Sequence, residues 1–229
     1  MTAMHTTRAG ANRLQDETWD LLCEAGARVR YKKGQEIFQE GETGDSLFLV
    51  TSGLVRIVLY SAGGKGSIVS FLGPREIIGE VGCITGAPRT ATVECAENVE
   101  GHLVSQAELF RVLGRSEAAV RDLLTMLCHR LRRTDGAFQR VSALSMKGRL
   151  AGALLALAEQ YGEDHGDGTL VRLAVTQSDI GAFSGLSREN TSRILSGWRK
   201  AGLIAFAPDK RSIILNDPDA LAEIADFDW

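Results

Sequence analysis

The sequence predicts an α+β fold in three parts: an N-terminal β-sandwich of the jelly-roll kind, a long helix, and a C-terminal winged helix-turn-helix. Three observations support this prediction. Short β-branched runs alternate with glycine-rich turns over residues 31–104. From residue 116 the apolar positions follow one another at alternating spacings of four and three. Two short helical patterns joined by a glycine-containing turn lie between residues 176 and 201.

Length and composition set the class of protein. A chain of 229 residues with 44% hydrophobic and 24% charged residues is typical of two globular domains of ordinary size. The sequence contains no apolar run of about 18 residues, so no membrane span is expected. Residues 1–14 have no apolar segment of the secretory kind, and we expect a poorly ordered tail on a cytoplasmic protein.

The cysteines and histidines are scattered along the chain. None of the four cysteines has Cys-x-x-Cys spacing, and the four histidines form no cluster. The pattern predicts no metal, haem or iron–sulfur cluster, and it is typical of buried thiols in a reducing compartment. The cysteines are Cys23, Cys83, Cys95 and Cys128.

We assign residues 15–115 to the sandwich domain. A short helix is expected at 15–23, before the strands. The β-branched and apolar runs that predict strands lie at 36–38, 46–50, 54–60, 67–72, 91–95 and 101–104. Several short strands at close spacing with glycine-rich turns are typical of a β-sandwich or a small barrel.

One stretch interrupts these strands and carries chemistry. Gly79 and Glu80 stand on a glycine-rich turn, and Arg89 and Thr90 follow nine residues later. Backbone N–H groups at a turn and a guanidinium bind an anion, whereas a carboxylate beside that anion suits a sugar hydroxyl. The stretch therefore predicts a pocket for a phosphorylated sugar. The alternative is a tight turn closed by a Glu80–Arg89 ion pair.

A short amphipathic helix at 106–113 leads to a long helix at 116–143. Its apolar positions form a heptad seam, as in a two-stranded coiled coil. The seam positions are Val120, Leu124, Leu127, Leu131, Thr134, Phe138, Val141 and Ser145. The regularity favours a twin helix in a two-fold homodimer. The alternatives are that the helix packs on its own sandwich, and that Thr134 only fixes the register of the seam.

Residues 144–216 form the predicted second domain. Ser145 is expected to cap an apolar helix at 146–161, and the hydrophilic run 162–168 is expected to be a loop or hairpin tip. Thr176 and Asp179 have capping-box form before a short helix at 177–183. Ser187 then caps a second helix at 188–201. The acidic residues 217–229 are expected to form a solvated tail.

The second short helix carries residues suited to DNA. Arg188, Glu189 and Arg193 fall near its exposed N-terminal face. Arginine bonds both acceptors of guanine, and glutamate accepts from the amino group of cytosine. A hairpin wing over 203–215 would offer Lys210 and Arg211 to phosphates. The alternative is a helical hairpin with a solvated charged face.

In this order, the pieces resemble the CRP/FNR family of bacterial transcription regulators over residues 15–215. The resemblance implies that Gly79 and Glu80, with Val81 beside them, bind a ribose. It places Arg89 and Thr90 on the phosphate of a cyclic nucleotide. A further pair, Thr134 and Asp135, falls on the family positions that contact the purine; the family has serine at the second of these. Threonine after the arginine resembles cGMP-binding kinase domains, so the expected effector is cAMP or cGMP.

The resemblance also implies partners. It implies a homodimer joined by the long helix, and contact with RNA polymerase. It also implies a palindromic TGTGA-like DNA site, which the helix capped by Ser187 would read. One alternative is a regulator of the same fold that another small anion gates, or that needs no ligand. Another is an enzyme acting on cyclic nucleotides, which the stretch at 78–93 disfavours because it has no histidine and no carboxylate cluster. We therefore expect a regulator and not an enzyme.

Overall fold

The computed structural model describes residues 13–64, 66–141, 145–166, 168–172, 175–207 and 212–226, with side chains described in the long helix only as far as residue 131. The chain divides into two compact units, residues 10–132 and 133–229. The division falls inside the long helix.

The first unit contains eight strands and four helices among its described residues, the last helix running on into the second unit. In chain order they are α1 (Asp16–Ala25), β1 (Ala27–Tyr31), β2 (Glu36–Phe38), β3 (Ser46–Ser52), β4 (Val55–Tyr60), β5 (Gly66–Leu72), β6 (Ile77–Ile78), α2 (Glu80–Thr85), β7 (Thr92–Cys95), β8 (Val99–Ser105), α3 (Gln106–Leu113) and α4 (Glu117–Val141). The strands form two antiparallel sheets, in the orders β1-β8-β3-β6 and β2-β7-β4-β5.

Strand β3 lies between two hydrophobic clusters, one inside the sandwich and one under the helices. Successive side chains of a strand point to opposite faces. Phe48 and Val50 pack in the cluster between the two sheets. Leu47 and Leu49 pack in a second cluster with residues of α1, α3 and α4. Because both faces are covered, β3 is apolar without alternation, which accounts for its uninterrupted run in the sequence.

Helix α4 has two apolar stripes. Ala119, Leu123 and Met126 are at most 5% exposed and pack on the rest of the unit. The predicted seam is the adjacent stripe, where Leu124 is 56% exposed and Leu131 is 64% exposed. The seam residue Leu127 is partly buried against the same cluster as the first stripe, whereas Leu124 and Leu131 leave more than half of their surface exposed. The seam beyond Leu131 lies outside the described side chains.

The second unit contains the remaining elements. These are α5 (Met146–Tyr161), β9 (Gly162–His165), β10 (Gly168–Val171), α6 (Gln177–Ser184), α7 (Arg188–Lys200), β11 (Ile204–Phe206), β12 (Ile213–Leu215) and α8 (Pro218–Asp226). The four strands form one antiparallel sheet in the order β11-β12-β10-β9. The hydrophilic run at 162–168 is thus a hairpin, and β11 and β12 form the predicted wing. The three-part α+β prediction is confirmed.

Local chemistry sets the helix boundaries in this unit. The Ser145 hydroxyl accepts from the Gly148 N–H at 3.1 Å, as predicted for the start of α5. Thr176 and Asp179 form the predicted capping box at the start of α6. Gly185 ends that helix in the left-handed region, with φ of 69°.

The C-terminal segment departs from the prediction. Residues 217–229 were expected to be a solvated tail, but α8 is a helix that packs on α5. Leu221 is fully buried in it. Acidic residues occupy its exposed positions, including Asp219 and Glu223, so the composition conceals an amphipathic helix.

Candidate functional site

The predicted pocket begins at a turn that requires glycine. Strand β6 pairs with β3 and ends just before Gly79, which adopts a left-handed conformation with φ of 80° and caps α2. A Cβ at this position would lie 2.7 Å from Nη1 of Arg89 and 2.7 Å from the ring of Phe38. Both backbone conformation and space therefore exclude other residues.

Arg89 lies under this turn and is 5% exposed. Its Nη1 donates to the carbonyl oxygens of Ser46, at 2.6 Å, and of Gly79, at 3.1 Å. Its Nη2 donates to Oγ of Ser46 at 2.9 Å. The guanidinium also stacks on the ring of Phe38, 3.6 Å from the ring centre. These contacts fix the position of the guanidinium at the start of β3.

Among the described residues, the charge of Arg89 is matched by one carboxylate, at long range. The nearest ion-pair partner is Asp45, whose oxygen lies 3.8 Å from Nη2 and whose side chain is 75% exposed. The Nε–H of Arg89 is buried and has no acceptor among the described residues. Burial lowers the pKa of this guanidinium, and Asp45 partly opposes that effect. A buried cation with an unused donor is suited to an anionic ligand.

Glu80, the predicted sugar-binding carboxylate, is also buried. Its Oε1 accepts from Nη1 of Arg130, on α4, at 2.6 Å, and Nη2 of Arg130 donates to the carbonyl oxygen of Ile77 at 2.5 Å. The side chains of Glu80 and Arg130 are 8% and 18% exposed. The alternative of a turn closed by a Glu80–Arg89 ion pair is therefore wrong, because Glu80 pairs with the long helix.

A cavity of about 570 Å³ opens beside Arg89. Its lining consists of Tyr31, Ile37, Phe38, Gly41, Glu42, Thr43, Asp45, Ser46, Arg89 and Leu103. Of the predicted ligand residues Arg89 is in this lining, whereas Glu80 and Val81 are not. The cavity thus lies on the side of the guanidinium that faces the loop between β2 and β3.

The other predicted ligand residues lie on exposed positions or outside the described side chains. Val81, in the first turn of α2, is 47% exposed. Thr90 is exposed in the segment between α2 and β7. Thr134 and Asp135 belong to α4, but their side chains lie outside those described.

Arg130 and Ser46 are site residues that the sequence analysis missed. Arg130 did carry a signal, because it continues the buried stripe of α4 at the helical spacing of three and four residues. A charged residue at the end of a buried stripe indicates a buried partner. Ser46 had no such signal, since its contact with Arg89 spans 43 residues and depends on the fold.

The predicted DNA-reading residues share one face of α7. The Ser187 hydroxyl caps the helix by accepting from the Asn190 N–H at 3.2 Å. Arg188, Glu189 and Arg193 are all exposed. The pKa of Glu189 lies below its ordinary value because its own backbone N–H, and then the Ser187 hydroxyl, donate to its carboxylate. Lys210 and Arg211, at the predicted wing tip, lie outside the described residues.

The opposite face of α7 holds the helix-turn-helix together. Ile194, Leu195 and Trp198 are buried, and so is Thr191, whose hydroxyl donates to the carbonyl oxygen of Ser187 at 2.9 Å. A Cβ on Gly181 of α6 would lie 2.8 Å from the Thr191 hydroxyl, so glycine permits the close crossing of the two helices. The charged face is therefore presented by a rigid helix pair.

The structure offers little support for catalysis at the pocket. The thiol of Cys83, on α2, is fully buried, and burial raises its pKa to about 11. Such a thiol is protonated at neutral pH and is a poor nucleophile. Among the described residues, no three His, Cys, Asp or Glu side chains are grouped to hold a metal ion.

In the part of the chain that the structure describes, no helix is both long and apolar enough to cross a membrane.

Comparison with known proteins gives two domain matches in chain order. Residues 28–116 match the cyclic nucleotide-binding domain, and residues 148–224 match the Crp-like helix-turn-helix domain. The chain is 28% identical to a CRP-like cAMP-activated global transcriptional regulator of Mycobacterium tuberculosis, covering 86% of this chain and 87% of the relative. It is 29% identical to the cyclic AMP receptor protein of Thermus thermophilus, covering 93% and 94%.

A solved structure agrees over both units. The c-di-GMP responsive global regulator CLP of Xanthomonas campestris is 25% identical, with a TM-score of 0.72, and the match covers 89% of this chain and all of that one. The two domain matches span the β-sandwich and the helix-turn-helix described above. The chain therefore belongs to the CRP/FNR family of DNA-binding transcription regulators, and it is not an enzyme.

Proposed function

We propose that this protein is a cytoplasmic homodimer that binds cAMP or cGMP and, when it is bound, recognises a palindromic TGTGA-like DNA site. The observation that carries the proposal is the buried guanidinium of Arg89: among the described residues its Nε–H has no acceptor, and its ion-pair partner Asp45 lies 3.8 Å away with a largely exposed side chain. A cyclic phosphate would supply the missing negative charge. A relative that matches 86% of this chain at 28% identity is described as cAMP-activated.

The Glu80–Arg130 pair would connect the ligand to the long helix. A ribose hydroxyl donating to Glu80 shares that carboxylate with Arg130, so ligand binding is transmitted directly to α4. On this proposal the purine reaches Thr134 and Asp135 further along the helix, with Thr90 beside the phosphate. The identity of the base depends on these three residues.

The seam of α4 supports the dimer. Leu124 and Leu131 expose most of their surface, although leucine at helical spacing is normally buried. A twin helix would cover both positions in each subunit, which gives the isologous contact of a two-fold dimer. Two recognition helices about 34 Å apart then match one turn of B-DNA.

The DNA contact follows from the exposed face of α7. Arg188, Glu189 and Arg193 would read base edges in the major groove. Ser187 would place the N-terminus of the helix near a phosphate, with Lys210 and Arg211 of the wing on the backbone. We further propose that strand β9 contacts RNA polymerase, because all four of its residues are exposed and two of them, Glu163 and Asp164, are acidic.

A second candidate effector is a cyclic dinucleotide, since the relative from Xanthomonas campestris is described as c-di-GMP responsive. Calorimetry of cAMP, cGMP and c-di-GMP on the purified dimer distinguishes the candidates. We expect a cyclic mononucleotide to bind, and Arg89→Ala to remove the binding while the protein stays folded. Arg111→Ala is the matched control, because Arg111 is exposed on α3 and pairs with Glu108. Retention of mononucleotide binding by Arg89→Ala, or binding of c-di-GMP alone, would refute the proposed ligand.

A further inference from the structure

Asn190 and Arg193 are bonded to each other on the exposed side of α7. Nη2 of Arg193 donates to Oδ1 of Asn190 at 2.7 Å, one helical turn apart. Asn190 is half-buried, whereas Arg193 is exposed. The bond uses one of the five donors of the guanidinium and leaves the others available. The arginine is thus oriented before any DNA is present.

The same helical position is used differently in α6. Asp179 is the third residue of that helix, and its carboxylate accepts from the N–H and hydroxyl of Thr176 at 2.8 Å and 2.7 Å. Asn190 is the third residue of α7, but its side-chain oxygen is bonded to Arg193, further along the helix. An acidic residue at this position usually improves helix capping. The presence of asparagine in α7 therefore calls for another reason.

Charge provides that reason. A carboxylate at position 190 would accept from Arg193 equally well, but it would neutralise the guanidinium and repel DNA phosphates. A carboxamide accepts the same hydrogen bond and leaves the positive charge intact. We propose that Asn190 is a neutral positioning residue, which fixes the orientation of Arg193 for reading a base. The proposal rests on the proposed function in one respect: that Arg193 contacts a base.

The test compares Asn190→Ala, Asn190→Asp and Asn190→Gln. The measurement is affinity for a TGTGA-like palindrome, for the same palindrome changed at one base pair at a time, and for random DNA, over a range of salt concentrations. We expect Asn190→Ala to lower discrimination at one base pair by about tenfold, with unchanged binding to random DNA. Asn190→Asp should weaken binding to all three DNAs, most at low salt. The carboxamide of Asn190→Gln should restore part of the discrimination.

Loss of the helix would not explain such a result. Alanine is a better helix former than asparagine, so Asn190→Ala does not lower the helix propensity of α7. Thermal unfolding followed by circular dichroism checks this point for each variant.

Arg193→Ala and the double variant separate the possible outcomes. The proposal holds if Asn190→Ala lowers discrimination in the native background and has no further effect in a protein that already carries Arg193→Ala. An equal effect in both backgrounds would overturn it, because Asn190 would then act on the DNA directly. The proposal would also be overturned if Asn190→Ala leaves discrimination between the DNA sites unchanged while Arg193→Ala relaxes it. If Arg193→Ala itself changes no discrimination, the assigned base reader is wrong, and the role of Asn190 fails with it.

Discussion

Truncation of Leu131 tests the proposed dimer seam. The residue is 64% exposed in the single chain. Full burial of a leucine side chain stabilises by about 1.5–3 kcal/mol, so covering this exposed part is worth about 1–2 kcal/mol in each subunit. The dimer contains two copies, and Leu131→Ala should therefore cost about 2–4 kcal/mol of dimerisation free energy. At 1.4 kcal/mol for each factor of ten, the dimer Kd should rise about 30-fold to 1,000-fold.

Sedimentation equilibrium over a range of protein concentrations measures this Kd. The matched control is Phe110→Ala, because Phe110 is an apolar residue on α3 that is 47% exposed and lies outside the seam. We expect the control to leave the dimer Kd unchanged. Leu124→Ala, at 56% exposure, should behave like Leu131→Ala.

One result would refute the reasoning. If Leu131→Ala and Leu124→Ala dimerise as tightly as the native protein, the exposed stripe of α4 is not the dimer contact. A change of the same size in Phe110→Ala would instead point to a different surface, on α3.

Three further predictions concern single contacts. Arg130→Gln should lower the free energy of unfolding by about 3–5 kcal/mol in urea denaturation, because the carboxylate of Glu80 stays buried without its partner, and adding Glu80→Gln should restore most of the loss. Arg75 is a non-glycine residue with φ of 73°, and its guanidinium stacks on Trp19. Both Arg75→Gly and Arg75→Ala lose this contact, but only glycine relieves the strained backbone. Arg75→Gly should therefore be more stable than Arg75→Ala by about 1 kcal/mol in the same assay. Arg188→Ala should cost about 1–3 kcal/mol of operator binding and relax one base pair, and a uniform loss over all DNA sequences would place Arg188 on a phosphate.

Local signals in the sequence were sufficient for most elements. Glycine-rich turns and β-branched runs located six of the eight strands of the first unit, all but β1 and β6. Hydroxyl residues such as Ser145 and Thr176 marked helix starts. These features depend on neighbouring residues and are therefore visible in the chain itself. The residues of the pocket turn could be predicted for the same reason, because Gly79 is required by its own φ and by the space around it.

Contacts between distant residues could not be predicted in this way. The partner of Glu80 is Arg130, which is 50 positions away, and the pairing depends on how α4 packs on the sheet. Helix α8 was missed because acidic side chains dominate its composition, although Leu221 holds it in the core. The acidic residues of this segment indicated a solvated tail, whereas they mark only the outer face of α8.

Calorimetric titration of the dimer with cAMP or cGMP, with and without a palindromic operator, tests the central claim most directly. If the nucleotide gates DNA binding, then the operator must tighten nucleotide binding by the same factor that the nucleotide tightens operator binding. Coupling of about 1–3 kcal/mol predicts a 5-fold to 150-fold lower nucleotide Kd with the operator present. Equal nucleotide affinity with and without the operator would contradict the account.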